Sequence, residues 1–299
     1  MTRGTAQLPV LNVIGAGKVG MTLARLLRDA GQVTLGSLFS RDIDNARSAV
    51  QFAGDGEAVD EFDNLRPADL WLLSVPDGAI ATAASRLAGT PFPWRDRRVF
   101  HCSGLHSSAL LEPLARQGAL VASLHPAHSF ANPGASLTDF ASTLCTVEGA
   151  ATLCGRLTDL FEALGAKVIA INPESKALYH CANTVASNYL VSLMATSLEL
   201  LQAADIGESD GRAILAPLVR QTLDNIFNFG PEAALTGPIA RADVNTVKAH
   251  LDALSTSDAH LQATLYRMLG RITVTIANRA TPERADDRLA IENLFREQR

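Results

Sequence analysis

The chain has few cysteines and no long apolar run. Only four of its 299 residues are cysteines, Cys102, Cys145, Cys154 and Cys181, and no two of them form a CxxC pair. This spacing fits neither a zinc site nor a disulfide framework, so we expect reduced thiols that pack as small apolar side chains. No segment reaches the about 18 consecutive apolar residues of a membrane span, and the opening MTRGTAQLPV lacks a secretion signal. We therefore expect a cytoplasmic protein with no membrane partner.

Basic residues are also scarce. The chain has 26 Lys and Arg against 31 Asp and Glu, a net charge of −5, and no basic stripe. This balance argues against nucleic acid as a partner. Hydrophobic residues make up 47% of the chain, which is enough for a substantial core. At about 100–200 residues per domain, the length favours two domains.

The first half of the sequence alternates short apolar runs with helical patterns. Strands that alternate with helices are typical of a parallel sheet covered on both faces, and so of an α/β, doubly wound Rossmann domain. After Asn172-Pro173 the strand signals stop and only helical patterns follow. We therefore predict a nucleotide-binding domain over 1–172 and an all-α domain over 173–299. The predicted strands cover 8–15, 33–40, 68–75, 97–103, 119–125, 143–149 and 166–171, and the later helices cover 174–204, 209–229, 243–253, 257–279 and 282–297.

A glycine motif, VIGAGKVG, directly follows the first predicted strand and opens a helix. In this context the G-x-G-x-x-G pattern is typical of a dinucleotide-binding loop. The first glycine permits the tight turn, the second lets the backbone approach a pyrophosphate, and the third lets the helix pack closely on the strand. Amides at the start of the helix would then face the anion. The predicted loop residues are Gly15, Ala16, Gly17, Lys18, Val19 and Gly20.

The end of the second predicted strand indicates which dinucleotide binds. An NAD site usually places an acidic residue there, whereas this sequence has Ser40 and Arg41 before Asp42. A hydroxyl followed by a planar cation suits a 2′-phosphate, so we predict NADP rather than NAD. In the alternative interpretation Asp42 turns inward and Arg41 is simply solvated.

Two further strands end near the same edge of the predicted sheet. Val75 and Pro76 follow the third strand, and Cys102 and Ser103 follow the fourth. Ligands of open parallel sheets bind at these carboxyl ends. We expect Val75 and Pro76 to border the cofactor and Ser103 to reach its nicotinamide end, although ordinary strand–loop turns would have a similar sequence.

Histidines concentrate at the next strand end, in SLHPAHSF. His125 and His128 have a spacing that could suggest a metal, but Pro126 breaks any helix there and no acidic or cysteine cluster is near in sequence, so we expect no metal site. We interpret His125 as a proton donor or a substrate clamp. The alternative is a hydrogen-bonded structural histidine.

The first helix after the predicted boundary has an unusual composition. From Ala177 to Leu198 it contains no Asp, Glu, Lys or Arg. One side is apolar, and the other is polar but uncharged apart from one lysine. Because burying such groups without partners costs about 1–3 kcal/mol each, they should face either a ligand or a protein network. The polar side holds Lys176, His180, Asn183, Thr184, Ser187 and Asn188, and the apolar side holds Leu178, Ala182, Val185, Tyr189 and Leu193.

Several stretches in both halves resemble one family. They are IGAGKVG, SVPDGAI, HCSG, SLHPAHSF, ALYHCANTVASNYLVSL, PLVRQTLDNI and ALTGPIARAD. They are similar to predicted NADP oxidoreductases that join a Rossmann-like domain to a helical domain of unknown function. That family looks like a branch of the group containing 6-phosphogluconate, 3-hydroxyisobutyrate and prephenate dehydrogenases and pyrroline-5-carboxylate and ketopantoate reductases.

The resemblance implies how the two domains would work. In the wider group the helical domain supplies substrate contacts and usually the dimer interface, so we expect a homodimer through this domain. Its first helix borders the nicotinamide, which would place His180, Ser187 and Asn188 at the active cleft. Hydroxyacid members pair a catalytic Lys with an Asn one turn later, whereas here Lys176 is followed by His180.

These observations predict an NADP(H)-dependent oxidoreductase that transfers hydride to or from a small carbonyl, hydroxy or imine substrate. His180 is the first candidate for the acid, His125 is the second, and Asn183, Ser187 and Asn188 would orient the substrate. The loop from Thr236 to Asp243 either closes over the cleft, with Arg241 available for an anion, or forms a helix start capped by Asp243. A non-catalytic NADP(H) sensor is the alternative function, since a dinucleotide fold does not prove chemistry.

Overall fold

The chain forms two compact units. The computed structural model describes residues 7–256 and 259–296, and the first unit ends at Asn188 while the second begins at Tyr189. The structure does not describe residues 1–6, 257–258 and 297–299. Three predictions fall partly on these residues: the one for the opening ten residues and those for the helices at 257–279 and 282–297. The predicted boundary at residue 172 follows the last strand of the first unit. The compact unit itself extends further, to Asn188, because it also includes the helix Lys176–Ala186.

The first unit is built on a sheet of eight strands within the described residues. Its order is β3-β2-β1-β4-β5-β6-β7-β8, and neighbours from β3 to β6 pair in parallel. The predicted α/β, doubly wound fold is confirmed. The strands are Val10–Ile14 (β1), Thr34–Phe39 (β2), Glu57–Val59 (β3), Leu70–Leu73 (β4), Arg98–His101 (β5), Leu120–Pro126 (β6), Leu144–Gly149 (β7) and Lys167–Ala170 (β8).

Helices cover both faces of this sheet because its strands are apolar on both sides. In β1, Leu11 and Val13 pack into one buried cluster and Ile14 into the other. Such near-continuous apolar strands are expected when a parallel sheet is sandwiched between helix layers. The helices of this unit are Lys18–Asp29 (α1), Ile43–Ala53 (α2), Ile80–Ala88 (α3), Glu112–Ala115 (α4), Pro133–Asp139 (α5), Ala151–Glu162 (α6) and Lys176–Ala186 (α7).

Two strands depart from the predicted pattern. β7 runs antiparallel to β6, with Ala122 opposite Gly149 and Pro126 opposite Cys145, so the sheet is mostly rather than wholly parallel. The chain between these strands carries the short α5 and then returns along β6 in the opposite direction. β3 was not predicted, because its three residues, EAV, form no apolar run.

The second unit contains helices and turns but no strand within residues 189–256 and 259–296. Its core is a small cluster that includes Val247, Val274 and Ile291. No helix of the described residues is long and apolar enough to cross a membrane. The helices are Asn188–Ala203 (α8, which starts at the last residue of the first unit), Glu208–Phe229 (α9), Pro231–Ala234 (α10), Val244–Thr256 (α11), His260–Ala280 (α12) and Leu289–Arg296 (α13).

Two predicted helices are shorter in the structure. The helix predicted over 174–204 breaks at Ser187, where φ is −107° and ψ is −67°, and continues as α8. The helix predicted over 282–297 begins only at Leu289, after two short 3₁₀ turns. Just before this helix, the Arg288 side chain is buried and donates hydrogen bonds to the carbonyl oxygens of Ile239 and Ala240.

Candidate active site

The glycine loop between β1 and α1 is shaped by close backbone contacts. Gly15 has φ of +100°, and a Cβ there would lie 2.8 Å from the carbonyl carbon of Ser74 and from the nitrogen of Val75. A side chain at Gly20 would overlap the carbonyl oxygen of Gly15. These two positions therefore require glycine, because the loop turns against the end of β4 and α1 starts directly on the loop.

The second glycine of the motif has a different environment. A Cβ on Gly17 would meet no described heavy atom within 4 Å, so the space in front of it is open. Gly17 is also the N-cap of α1, whose first turn has no acidic residue and, within the described chain, no side-chain cap. The amides at this helix start and the helix dipole are thus available for an anion, which fits a pyrophosphate. The adjacent Lys18 Nζ donates to the carbonyl oxygen of Ala131 at 2.7 Å.

Ser40, Arg41 and Asp42, the three candidates for contact with the ribose, follow the end of β2 and differ in their contacts. The Asp42 carboxylate caps α2, since it accepts the Asp44 N–H at 2.9 Å and an Asn45 Nδ2 hydrogen at 3.2 Å. Arg41 is exposed and forms no ion pair within residues 7–256 and 259–296. The Asp42 carboxylate is therefore occupied locally. The Ser40 hydroxyl oxygen accepts the Asp42 N–H at 3.4 Å, which leaves its hydroxyl hydrogen available together with Arg41. This arrangement suits a 2′-phosphate better than a bare hydroxyl.

A cavity of about 240 Å³ lies at the carboxyl ends of β4, β5 and β6. It brings together Val19, Val75, Cys102, Ser103 and His125, which the sequence predicted from separate motifs. Pro76 does not line it. The other lining residues are Leu73, Ser74, Asp77, Pro126, His128 and Phe130.

His125 is held by a tyrosine that the sequence analysis did not single out. Its Nδ1 lies 2.9 Å from the Tyr179 hydroxyl, and the two rings meet edge to face with centroids 5.5 Å apart. Burial, and to a smaller extent the charges of Lys176 and His180, lower the pKa of His125 to about 4, while Asp77 opposes the shift. The imidazole is therefore neutral near pH 7, and one hydrogen bond joins its Nδ1 to the phenol oxygen.

His180 lies beside His125, and both rings pack against Gly104. The two ring centroids are 6.2 Å apart. A Cβ on Gly104 would lie 2.7 Å from His180 Cδ2 and 2.9 Å from His125 Nε2. The loop after β5 therefore needs a glycine at this position so that α7 can bring His180 next to His125.

Lys176 is buried rather than presented to a ligand. Its side chain is 0% exposed, and Nζ donates to the Ser103 carbonyl oxygen at 3.0 Å and to Ser123 Oγ at 2.9 Å. Burial lowers the pKa of this amine, while Glu148, Cys102 and Asp77 oppose the shift. Lys176 thus fastens α7 to the ends of β5 and β6, which is a positioning function.

The remaining polar residues of α7 have two kinds of environment. Asn183 Nδ2 donates to the Tyr179 carbonyl oxygen and Thr184 Oγ1 to that of His180, both at 3.0 Å. Ser187 and Asn188 are exposed at the break between α7 and α8. Two members of this side therefore have partners within their own helix. The expectation that Ser187 and Asn188 face a ligand or a protein network stays a prediction.

The apolar side of α7 is also exposed, with Leu178 at 76% and Val185 at 53%. The helix thus turns its polar side, through Lys176 and Tyr179, toward the sheet. The hydrogen bonds of Lys176 and Tyr179 to residues at the carboxyl ends of β5 and β6 hold this side of α7 against the sheet, so the apolar side of the helix faces away from it.

Two further histidines are structural. Nδ1 of His101 accepts the Ser103 N–H at 3.1 Å, so its Nε2–H donates to the Ser107 carbonyl oxygen at the same distance, and burial lowers the pKa of His101 to about 4. Both ring nitrogens of His128 have hydroxyl partners, Ser136 at 3.0 Å and Thr143 at 3.3 Å. The described residues contain no group of three or more His, Cys, Asp or Glu that could hold a metal.

Sequence reasoning missed Tyr179, Asp77 and Gly104. Tyr179 lies three residues after Lys176 and so on the same face of α7, which is the face toward the sheet. This i, i+3 spacing could have identified Tyr179 from the sequence. Asp77 and Gly104 each directly extend a quoted strand-end motif, VPD and HCSG. Because both residues lie within a few positions of the carboxyl end of a strand, their place in the sequence could have identified them as site residues.

In the second unit, the loop from Thr236 to Asp243 leads into α11. The Asp243 carboxylate accepts the Thr246 N–H at 3.0 Å and its hydroxyl hydrogen at 2.6 Å, as the capping interpretation predicts. Gly237 has φ of +95°, and Arg241 is exposed. Within this unit the loop is thus a helix start.

Comparison with known proteins supports both halves of the sequence resemblance. Residues 3–126 match the model of a Rossmann-like domain, and residues 143–273 match a domain of unknown function, DUF2520. No curated protein sequence matches the chain.

Several solved structures share the fold. A proposed NADP oxidoreductase from Bacteroides fragilis is 22% identical, with a TM-score of 0.75 over 91% of this chain and 99% of that one. A Thermotoga maritima protein is 27% identical, with a TM-score of 0.69 over 92% and 99%. An imine reductase from Myxococcus stipitatus, in complex with NADP⁺, is 17% identical, with a TM-score of 0.62 over 97% and 100%. The predicted combination is therefore confirmed: the chain joins a Rossmann-like domain to the domain of unknown function DUF2520.

Proposed function

We propose that the protein is an NADP(H)-dependent oxidoreductase that acts on a small carbonyl, hydroxy or imine substrate. The observation that carries this proposal is the position of the His125–Tyr179 pair, at a cavity that also reaches Val19 of the dinucleotide loop. An acid–base group and a dinucleotide site at one strand edge are what hydride transfer requires. The descriptions of two structures with the same fold, an NADP oxidoreductase and an imine reductase bound to NADP⁺, agree with it.

In this proposal the cofactor lies along the carboxyl edge of the sheet. The amides around Gly17 bind the pyrophosphate, and Ser40 and Arg41 bind the 2′-phosphate. Val75 and Ser103 border the nicotinamide. Bound NADPH supplies a hydride, and the chain's own residues bind, orient and protonate the substrate.

His125 takes the acid–base role ahead of His180 in this proposal. His125 lines the cavity and has Tyr179 as a proton partner. The His180 ring lies behind Gly104 and supports the position of His125. Lys176 fixes the loop that carries Ser103, and Asn183, Ser187 and Asn188 have no assigned contact with the substrate.

The protein is also proposed to act as a homodimer through its helical part. Large apolar side chains are exposed in the second unit, among them Phe227 at 84% and Leu261 at 77%. Clustered exposed apolar surface marks association sites more often than it marks a monomer surface. Sedimentation of the purified protein at several concentrations would measure the subunit number, and a monomer at all of them would contradict the dimer.

The cofactor assignment can be tested with Arg41→Ala. Loss of a charge-assisted contact costs about 1.5–3 kcal/mol, so NADPH should bind about tenfold or more weakly while NADH affinity stays the same. Arg95→Ala is a matched control, because Arg95 is exposed and precedes β5 at the opposite edge of the sheet. Kd values from NADPH and NADH fluorescence measure both effects.

An equal loss for NADPH and NADH in Arg41→Ala would contradict the assignment to the 2′-phosphate. Turnover is tested by NADPH oxidation with a panel of ketones, aldehydes and imines. Tight NADPH binding with no oxidation by any of them would favour the alternative function, a non-catalytic NADP(H) sensor.

A further inference from the structure

Asp77 is a carboxylate in the cavity with no partner in the described structure. It begins the short turn between β4 and α3, is half-buried, and lines the cavity together with Ser103 and His125. Within residues 7–256 and 259–296 its carboxylate forms no ion pair, and none of the side-chain hydrogen bonds involves it.

Another carboxylate of the same unit shows how the fold usually treats such groups. Glu148 is buried, and its two oxygens accept the Ser108 N–H at 2.7 Å and the Ser108 hydroxyl hydrogen at 2.8 Å. A carboxylate that is partly removed from water without such partners is unfavourable. Asp77 is only half-buried and has no such partner, so its carboxylate is available to a ligand in the cavity.

Among the described residues that line the cavity, no side chain forms an ion pair with Asp77. Burial raises the pKa of the Cys102 thiol, which keeps it protonated, and burial lowers the pKa of His125 to about 4, which keeps its imidazole neutral. The charge of Lys176 interacts with that of Asp77, but Lys176 Nζ donates its hydrogen bonds to Ser103 O and Ser123 Oγ and not to the Asp77 carboxylate. No Lys or Arg is among the described lining residues, although a carboxylate-bearing substrate such as a keto acid would need one.

From this arrangement we propose that the cavity binds its substrate as a cation, a protonated or N-alkylated imine, with Asp77 as the counter-ion. The inference rests on the proposed oxidoreductase function and narrows its substrate class from carbonyl, hydroxy or imine compounds to iminium ions. Charge complementarity of this kind favours one ligand class and disfavours anions.

The chemistry of an iminium ion also fits the neutral His125. When a hydride from the dihydronicotinamide adds to the iminium carbon, the C=N π electron pair moves to nitrogen and a neutral amine forms. The substrate carbon is reduced, the dihydronicotinamide is oxidised, and no further proton is needed. A ketone would instead require a proton on the developing alkoxide. His125 and Tyr179 would then serve to shape the cavity wall and to exchange protons with the amine product.

The test compares a cation with a neutral molecule of similar shape. The probes are N-methyl-3,4-dihydroisoquinolinium and 1-tetralone, titrated by calorimetry into protein saturated with tetrahydro-NADP, which cannot donate a hydride. The wild type should bind the iminium ion more tightly than the ketone. Asp77→Asn should weaken iminium binding about tenfold or more, the effect of losing a hydrogen bond or contact to a charged group, and leave the ketone Kd unchanged.

Asp159→Asn is the matched control, because Asp159 is an exposed carboxylate on α6 that does not line the cavity. It should leave both affinities unchanged. NADPH affinity is measured separately for all three proteins, and it should be the same in each of them.

Three outcomes would overturn the inference. The first is a wild type that binds the ketone as well as or better than the iminium ion. The second is an Asp77→Asn variant that weakens both probes equally or neither. The third is an Asp77→Asn variant that loses NADPH affinity, which would assign Asp77 to the cofactor and leave the proposed oxidoreductase function intact. A wild type that binds no NADPH would refute that function itself, and this inference with it.

Discussion

Gly104→Ala should disturb the packing of His125 and His180. The added Cβ would lie 2.7 Å from His180 Cδ2, and 2.9 and 3.0 Å from His125 Nε2 and Cδ2. Ordinary carbon contacts are about 3.5–4.0 Å, so each ring must retreat by about 0.5–1 Å. His125 cannot retreat directly, because the edge formed by Nε2 and Cδ2 is opposite Nδ1, which is already 2.9 Å from the Tyr179 hydroxyl.

The cost follows from these contacts. Overpacking a filled site typically costs about 1–3 kcal/mol, and weakening the bond to Tyr179 adds about 0.5–1.5 kcal/mol. A displacement of about 1 Å at the acid–base group should lower turnover by roughly 100-fold. Gly155→Ala is the control. Gly155 lies within α6 with no described heavy atom near its Cβ position, so alanine there should stabilise by about 0.5–1 kcal/mol.

Two measurements test this reasoning. Urea unfolding gives the free energy difference between the two alanine variants and the wild type. Imidazole ¹⁵N spectra report the tautomer and hydrogen bonding of His125 without a known substrate. If Gly104→Ala were as stable as Gly155→Ala and left the His125 signals unchanged, the packing of both rings on Gly104 would be refuted.

Two other predictions concern stability. Arg288→Met should destabilise the second unit by about 2–4 kcal/mol, because the carbonyl oxygens of Ile239 and Ala240 lose buried donors; a urea midpoint equal to that of the exposed Arg284→Met would contradict this. Burial lowers the pKa of His101 to about 4 in the folded protein. Below about pH 6.5, His101 therefore binds a proton in the unfolded chain but stays neutral in the folded protein until about pH 4. Stability should therefore fall between about pH 6.5 and 4, by up to about 1.4 kcal/mol per pH unit for this residue. His101→Gln should show a correspondingly shallower decline in unfolding free energy, and an identical slope would exclude the assigned shift.

The sequence predicted best where local chemistry dictates structure. The glycine loop at 15–20 and the strands around it have their predicted places, because positive φ at Gly15 and a continuous apolar strand are local requirements. The N-cap function of Asp42 was not predicted, although it is also local, since its carboxylate reaches an amide two residues later. This bond also favours NADP over NAD, because it removes the acid from the ribose site.

Prediction failed where partners are distant in sequence. Lys176 bonds to Ser103 and Ser123, which precede it by 73 and 53 residues. No periodicity within α7 could indicate that these partners would bury the lysine and leave Leu178 exposed. The antiparallel direction of β7 had the same cause, because strand direction depends on pairing with β6 and not on the residues of β7.

Lys176 connects these observations to the chemistry of the site. Its position resembles that of the catalytic lysine in hydroxyacid enzymes, but its Nζ already donates to Ser103 O and Ser123 Oγ. An ammonium fixed there would lower the proton affinity of His125 without contacting the substrate, and it does lower the pKa of His125, after the larger effect of burial. A neutral histidine and a lysine outside the cavity favour a substrate that needs no proton during hydride transfer over one that forms an alkoxide and needs a proton from His125. The same site, with the half-buried carboxylate of Asp77 in its cavity, is suited to a substrate nitrogen that already carries a positive charge.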